Sequence, residues 1–371
     1  MDVDVDMTNG NEGEELIETE TETTTEPYSR AVPLLPSAEG RPFDMISVGE
    51  TMLRFTPPHG QRIEQTQSFD IVPGGAELNV SVGMSRLGAR VAWLSRLPDS
   101  PLGRIVANQA RIHGVDTQFV KWMDGATSRL GLFFLETGAV PRAGEITYDR
   151  RDSAAATMQP DDWDWPTLLA QTRLLHITGI TPALSPSCRE LTFAAVEAAR
   201  QAGCAVSCDL NFRSKLWSAE DAASCLRELL PLVTVVLTGN SDLKTIFGIS
   251  GKAAEQALWV RDTFGVPVAS VGRRRGNAAS GLQARRSAVA TERGVFVSPG
   301  FEFQPLDPVG AGDAYAAGFL YGLLTTDNEE QSVAYGDAMA ALKHTVPGDF
   351  CVVSRAELDA VLSGQGMRLR R

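Results

Sequence analysis

What this chain lacks excludes several classes of protein at once. No apolar run approaches the roughly 20 residues that a membrane-spanning helix requires, and the acidic N-terminus has no apolar h-region, so neither a signal peptide nor a transit peptide is expected. There is no basic surplus: Lys and Arg number 34 against 46 Asp and Glu, a net charge of −12. The excess acid is local. Residues 1–42 carry eleven acidic and two basic side chains, which leaves the remainder near neutral and without the basic surface that nucleic-acid binding needs. Cysteine is scarce and unpatterned. Five residues, an odd number with no C-x-x-C spacing, argue against a disulfide framework or a zinc site and fit a reducing cytoplasm. No internal repeat is visible.

Residues 1–42 are expected to be a disordered acidic tail, since a run such as Glu18-Thr19-Glu20-Thr21-Glu22 has almost nothing to bury. That composition suits a solvated extension or a partner-binding segment. A short basic tail, 366–371, closes the chain. Between them lies enough apolar sequence for a large core, 43% of 371 residues overall. Apolar strands alternate with helices from Phe43 onward: strands near 45–49, 91–95, 174–178, 205–209 and 233–237, and helices near 77–87, 191–201 and up to 230. Continuous apolar strands in β-α-β order imply a parallel sheet covered on both faces, an α/β fold. Two stretches, about 51–72 and 128–150, lack helical period and read as extra strands outside that sheet.

The segment Asp307-Pro308-Val309-Gly310-Ala311-Gly312-Asp313 precedes an apolar helix. A tight glycine loop at a helix N-terminus aims several N–H groups, and the positive end of the helix dipole, into one space. Asp313 adds a carboxylate at its edge. This pattern reads either as an anion hole with a general base, suited to phosphoryl transfer onto a hydroxyl, or as an ordinary turn with Asp313 capping the helix.

The loop resembles the C-terminal signature of the ribokinase-like (pfkB) carbohydrate kinases, D-x-x-G-A-G-D. A second element, Gly74-Gly75-Ala76-Glu77-Leu78-Asn79, resembles their sugar-contacting diglycine motif in the form typical of 2-keto-3-deoxygluconate (KDG) kinases. Tyr148-Asp149-Arg150-Arg151-Asp152-Ser153-Ala154, the stretch from His176 to Ser185, and Asp209-Leu210-Asn211-Phe212-Arg213 are similar to further KDG-kinase segments. The resemblance spans residues 43–365. It implies a three-layer α/β/α sandwich with a mostly parallel central sheet and a small β-sheet lid, the lid drawn from about 51–72 and 128–150 and able to pair copies in a homodimer or larger oligomer.

The same resemblance implies ATP and Mg²⁺ as cofactors and a sugar acid as substrate, 2-dehydro-3-deoxygluconate, phosphorylated to its 6-phosphate. Asp313 would be the base, with the amides of Gly310, Ala311 and Gly312 and the side chain of Arg213 as charge stabilisers. Gly74, Gly75, Asn79, Phe133, Tyr148, Arg150 and Arg213 would contact substrate. Phe133 stands where some relatives carry a substrate-contacting Tyr. His176, Cys204 and Cys208 read as core.

On the nucleotide side the resemblance points to Asn240, Arg273, Gly310, Gly312 and Gly348. The usual lysine of this region is missing, and Arg273-Arg274-Arg275 follow Gly272 instead, a phosphate site or a charged hairpin tip. Asp242 is the metal-ligand candidate, in an element whose spacing departs from the family's N-x-x-E. Two rivals remain: a kinase of the same fold for another sugar, such as fructose, ribose or a different keto acid, and a non-catalytic sugar-binding regulator of the same fold.

Overall fold

The computed structural model describes residues 34–138, 141–276 and 281–365. The acidic segment 1–33, the basic tail 366–371 and Asn277 lie outside them. Residues 34–42, assigned to the tail from composition, pack against the body. Leu35 is buried in the core, Leu34 N–H donates to Asp327 at 3.2 Å, and Arg41 donates to the carbonyls of Thr172 and Gly203. Their apolar and basic side chains were masked by the acidic stretch before them.

The central sheet has nine strands. Its path runs Gly294–Val297, Gln283–Thr291, Val268–Gly276, Val235–Gly239, Ala205–Asp209, Thr172–Thr178, Phe43–Val48 and Val91–Leu94, with Phe301–Phe303 pairing beside Gln283–Thr291. From Val268–Gly276 to Val91–Leu94 every pairing is parallel; the remaining edge is antiparallel. The parallel strands are apolar on both faces because both are covered. Ile46, Leu175, Ile177, Val206 and Val236 meet the helices Pro186–Gln201, Ala219–Leu229 and Ala253–Phe264. Met45, Leu174, Ala205, Val235 and Leu237 meet Ala76–Arg86, Pro101–Ile112 and Ala311–Thr326.

On that second face the register aligns Ser47, His176 and Ser207 in one row. His176 is fully buried, hydrogen-bonded through Nδ1 to Ser207 at 2.9 Å, and burial holds its pKa down to about 3. It is a neutral core residue. All five cysteines are free and buried. No helix among the described residues is long and apolar enough to cross a membrane.

The lid stretches form a separate four-stranded sheet, ordered Asp70–Gly74, Met52–Thr56, Leu132–Glu136 and Glu145–Asp149. One face carries Phe55 stacked on Phe134 at 5.2 Å, with Phe69 edge-on to both. The other presents Met52, Phe133, Leu135 and Ile146, which close over Val309 of the glycine loop.

Candidate active site

The loop ahead of Ala311–Thr326 is shaped by glycine where no other residue fits. Gly310 has φ +82°, the left-handed region, and a Cβ there would stand 2.1 Å from the Asp349 carbonyl oxygen. A Cβ at Gly312 would meet nothing within 4 Å, so open space lies beside this turn. The helix has no side-chain cap, and its first intrahelical bond is Ala314 N–H to the Gly310 carbonyl at 2.9 Å. Ahead of it Ala311 N–H makes a long bond to the Pro308 carbonyl at 3.4 Å, and the other first-turn amides have no intrahelical acceptors. Asp313 does not cap the helix. Its carboxylate accepts from Asn79 Nδ2 at 2.6 Å and, more loosely, from Asn211 Nδ2 at 3.5 Å.

Asn79 comes from the start of the helix Ala76–Arg86, and Asn211 from the loop past the carboxyl end of Ala205–Asp209, the end where parallel α/β sheets gather their sites. Ala205–Asp209 ends in a carboxylate that holds the next loop: Asn211 N–H donates to Asp209 at 3.3 Å and the Asn211 amide at 3.4 Å. Asn211 adopts φ +41°, a conformation that asparagine tolerates better than most residues. Asp242, one turn into the helix Asn240–Phe247, accepts from Phe212 N–H at 3.2 Å.

Three carboxyls thus converge on Arg213, which acts on all of them. Burial pushes Asp313 above its usual pKa, while Asn79, Arg213 and Asn211 pull it back. Burial, then the charges of Asp313 and Asp242, push Asp209 up to about 8. Asp242 is raised by burial as well. Such a cluster is short of positive charge. Among the described residues no group of three or more His, Cys, Asp or Glu side chains is arranged to hold a metal on its own.

The diglycine allows close packing of protein neighbours. A Cβ on Gly74 would lie 2.1 Å from an Asp349 carboxylate oxygen, and one on Gly75 would lie 2.2 Å from the Glu50 carbonyl. Two residues on, Glu77 is fully buried, its Oε1 accepting from Thr178 at 2.7 Å and Thr181 at 2.8 Å. Oε2 has no partner and occupies the space a side chain at Gly49 would fill. Burial pushes this carboxyl up to about 7.

On the lid, Arg150 is tied to Glu50: Nε donates at 2.9 Å, Nη2 pairs with the same oxygen, and Ser153 donates to the other at 2.5 Å. Arg150 therefore enters the site already held by a protein carboxylate. Tyr148 lies beneath the cations of Arg150 and Lys215, 5.5 and 5.8 Å from its ring centre, and Lys215 Nζ reaches the Ile146 carbonyl at 2.6 Å. Phe133 is buried, its ring 5.9 Å from that of Tyr148, in the lid cluster that includes Val309.

On the antiparallel edge, Arg273 stands opposite Arg286, and Arg274 opposite Arg285. Arg285 donates to Asp337 at 3.0 Å and lies over the Tyr315 ring at 4.4 Å, so the Arg274 row faces the glycine-loop helix. Gly348 N–H donates to Asp307 at 2.9 Å, and Asn240 opens its helix at the end of Val235–Gly239. Sequence reasoning had not assigned Asp209, Asn211, Glu50, Lys215 or Arg274. Asp209, Asn211 and Lys215 lay inside or beside a quoted motif and Arg274 in the arginine run; Glu50 carried no local signal.

A profile described as pfkB family carbohydrate kinase matches residues 43–350. The chain is 39% identical over 321 residues to the 2-dehydro-3-deoxygalactonokinase of Haloferax volcanii, covering 86% of this chain and 97% of that one. It is 27% identical over 329 residues to the 2-dehydro-3-deoxygluconokinase of Bacillus subtilis, covering 87% and 96%. The crystal structure of 2-dehydro-3-deoxygluconokinase from Thermotoga maritima superposes with a TM-score of 0.82 at 32% identity, covering 88% of this chain and all of that one.

Proposed function

The chain belongs to the pfkB family of carbohydrate kinases, and from that premise we propose that it moves the γ-phosphoryl group of ATP onto the terminal hydroxyl of a 2-dehydro-3-deoxy sugar acid, in the gluco or the galacto form. The observation that carries this reading is Asp313, held at 2.6 Å by Asn79 in the first turn of an uncapped helix whose Gly312 faces open space. The hydroxyl gives its proton to Asp313 as its oxygen bonds to phosphorus and the bond to ADP breaks. A positioned base of this kind contributes roughly 10²–10⁴ in rate. The amides at 310–312 and the Arg213 guanidinium meet the charge on the transferred group.

Asp209 and Asp242, both short of positive charge, are the carboxylates suited to a Mg²⁺ ion carried in on the phosphates, which would supply that missing charge. The acid end of the substrate falls to the lid. Arg150 and Lys215 both stand over the Tyr148 ring there; Glu50 balances Arg150, so Lys215 leaves one net positive charge, which favours a carboxylate over a neutral sugar. Free, buried thiols suit a reducing cytoplasm as the place of action.

The test is a coupled ADP-release screen over both 2-dehydro-3-deoxy acids, fructose and ribose. Turnover of one or both keto acids is expected. Activity confined to fructose or ribose would sink the sugar-acid assignment, and tight binding of a keto acid without ADP release would favour a non-catalytic regulator.

A further inference from the structure

Among the charged side chains buried outside the reacting cluster, Arg54, Asp307, Lys343 and Asp349 group around the glycine loop, 3%, 6%, 0% and 3% exposed. Arg54 belongs to the lid strand Met52–Thr56, and its carboxylate partners lie far along the chain. One amino group pairs with Asp307 at 2.7 Å and the other with Asp349 at 2.9 Å. Burial opposes the charge on Arg54, but Asp349 and Asp307 more than offset it.

Each carboxylate in turn holds the glycine loop. Asp307 accepts from Val309 N–H at 3.0 Å and Gly348 N–H at 2.9 Å. The Asp349 backbone closes against Gly310, and its side chain fills the space left by Gly74. Lys343 Nζ supports the loop from beneath, donating to the carbonyls of Asp307 at 3.2 Å and Val346 at 3.0 Å. Val309 packs into the lid cluster with Met52 and Phe133.

Buried ion clusters are poor stabilisers, since apolar residues of similar volume serve a core as well or better. They do fix geometry, because a bidentate guanidinium accepts one arrangement of its partners. We infer that Arg54 is a positioning residue for phosphoryl transfer: through Asp307 and Asp349 it makes the order of the glycine loop depend on the seating of the lid sheet. The inference rests on the kinase reading of the loop. The lid is the part of the fold expected to meet substrate, so its closing over a sugar acid would set the amides at 310–312 in the same step.

The experiment pairs kinetics with amide hydrogen exchange on Arg54→Met and Arg54→Lys. The lysine variant keeps a charge in the site but cannot bridge both carboxylates, and it stands in if Arg54→Met does not fold. Expected in each is at least tenfold faster exchange of the peptide spanning 307–313, with the strands at 172–178 and 205–209 unchanged. A kcat lowered about 100-fold, with both KM values within about threefold, is expected alongside. Unaltered exchange at 307–313, or a raised KM with kcat intact, overturns the inference. If the wild type releases no ADP with any sugar acid, the kinase reading fails, yet the exchange result still decides whether Arg54 orders the loop.

Discussion

Asn79 donates its side-chain amide to the Asp313 carboxylate at 2.6 Å across 234 residues of chain, joining the diglycine helix to the glycine loop. Burial favours the protonated form of Asp313, whereas this hydrogen bond favours the ionised form that a general base requires. Activity should therefore rise with pH as Asp313 ionises. In Asn79→Ala the acid limb of the kcat–pH profile should move to higher pH, so the variant loses more activity at pH 6 than at pH 8. An unmoved limb would mean that Asp313 is not the titrating base. In Asp313→Asn, kcat should fall by roughly 10²–10⁴, with sugar-acid binding by calorimetry retained.

Glu77 carries a separate prediction about stability. Its carboxyl has an ordinary value of 4.5 and is pushed up to about 7, chiefly by burial. Below pH 4.5 it is protonated both folded and unfolded, and its neutral burial is fully favourable. As pH rises through 7 the folded protein must ionise a buried group that the unfolded chain ionised earlier, so this stabilisation is lost between about pH 4.5 and 7. At 1.36 kcal/mol per pKa unit the loss is ~3 kcal/mol. Glu77→Gln keeps the acceptor for Thr178 and Thr181 and removes the titration. Urea unfolding at pH 5 and pH 8 should show the glutamine variant gaining on the wild type by that order at the higher pH; equal gaps at both would refute it.

The strands, and the place of Asp313 in a glycine loop at a helix start, were legible in the sequence because their signals are local. Val235–Gly239 and Ala205–Asp209 read as unbroken apolar runs, since both faces are covered. Asp313 and Asn79 stand beside glycines whose backbone requirements leave a written trace. The Arg54–Asp349 pair, separated by 295 residues, leaves none. Nothing in the neighbourhood of Arg54 distinguishes it from a solvated arginine on a strand edge. Glu50 was hidden for the same reason, so nothing in the sequence showed the carboxylate that the fold gives Arg150. Residues 34–42 were misread because a strongly acidic segment precedes two leucines that reach the body.

The Glu50 pairing sharpens what Arg150 should do. Glu50 engages Nε and Nη2 of Arg150, leaving the other amino group for a ligand. A single charge-assisted hydrogen bond is worth about 1.5–3 kcal/mol. In Arg150→Gln, with Glu50 also changed to Gln so that no buried charge is stranded, KM for the sugar acid should rise roughly 10- to 100-fold while KM for ATP stays within threefold. Parallel changes in both constants would point to lid disorder and count against carboxylate recognition.

The three arginines after Gly272 allow a discriminating test of the nucleotide side. Cross-strand neighbours share a face of the sheet, so Arg274 lies with Arg285, above Tyr315 of the glycine-loop helix, whereas Arg273 lies with Arg286 on the opposite side. Asp337 is engaged by Arg285 and by the Ser287 hydroxyl and amide, and the charge on Arg274 gains no carboxylate from it. Burial and the Arg285 charge hold the Arg274 pKa below its usual value. Burial, with Arg274, Arg285 and Lys343, likewise holds the nearby His344 down to about 3. Positive charge therefore accumulates on this face, and a nucleotide phosphate would relieve it. Arg274→Ala should raise KM for ATP about tenfold or more, in line with the loss of a charged hydrogen bond, with KM for the sugar acid little changed. Arg273→Ala should leave both within threefold. The reverse pattern would return the phosphate contact to Arg273 and place the nucleotide on the other side of the sheet edge.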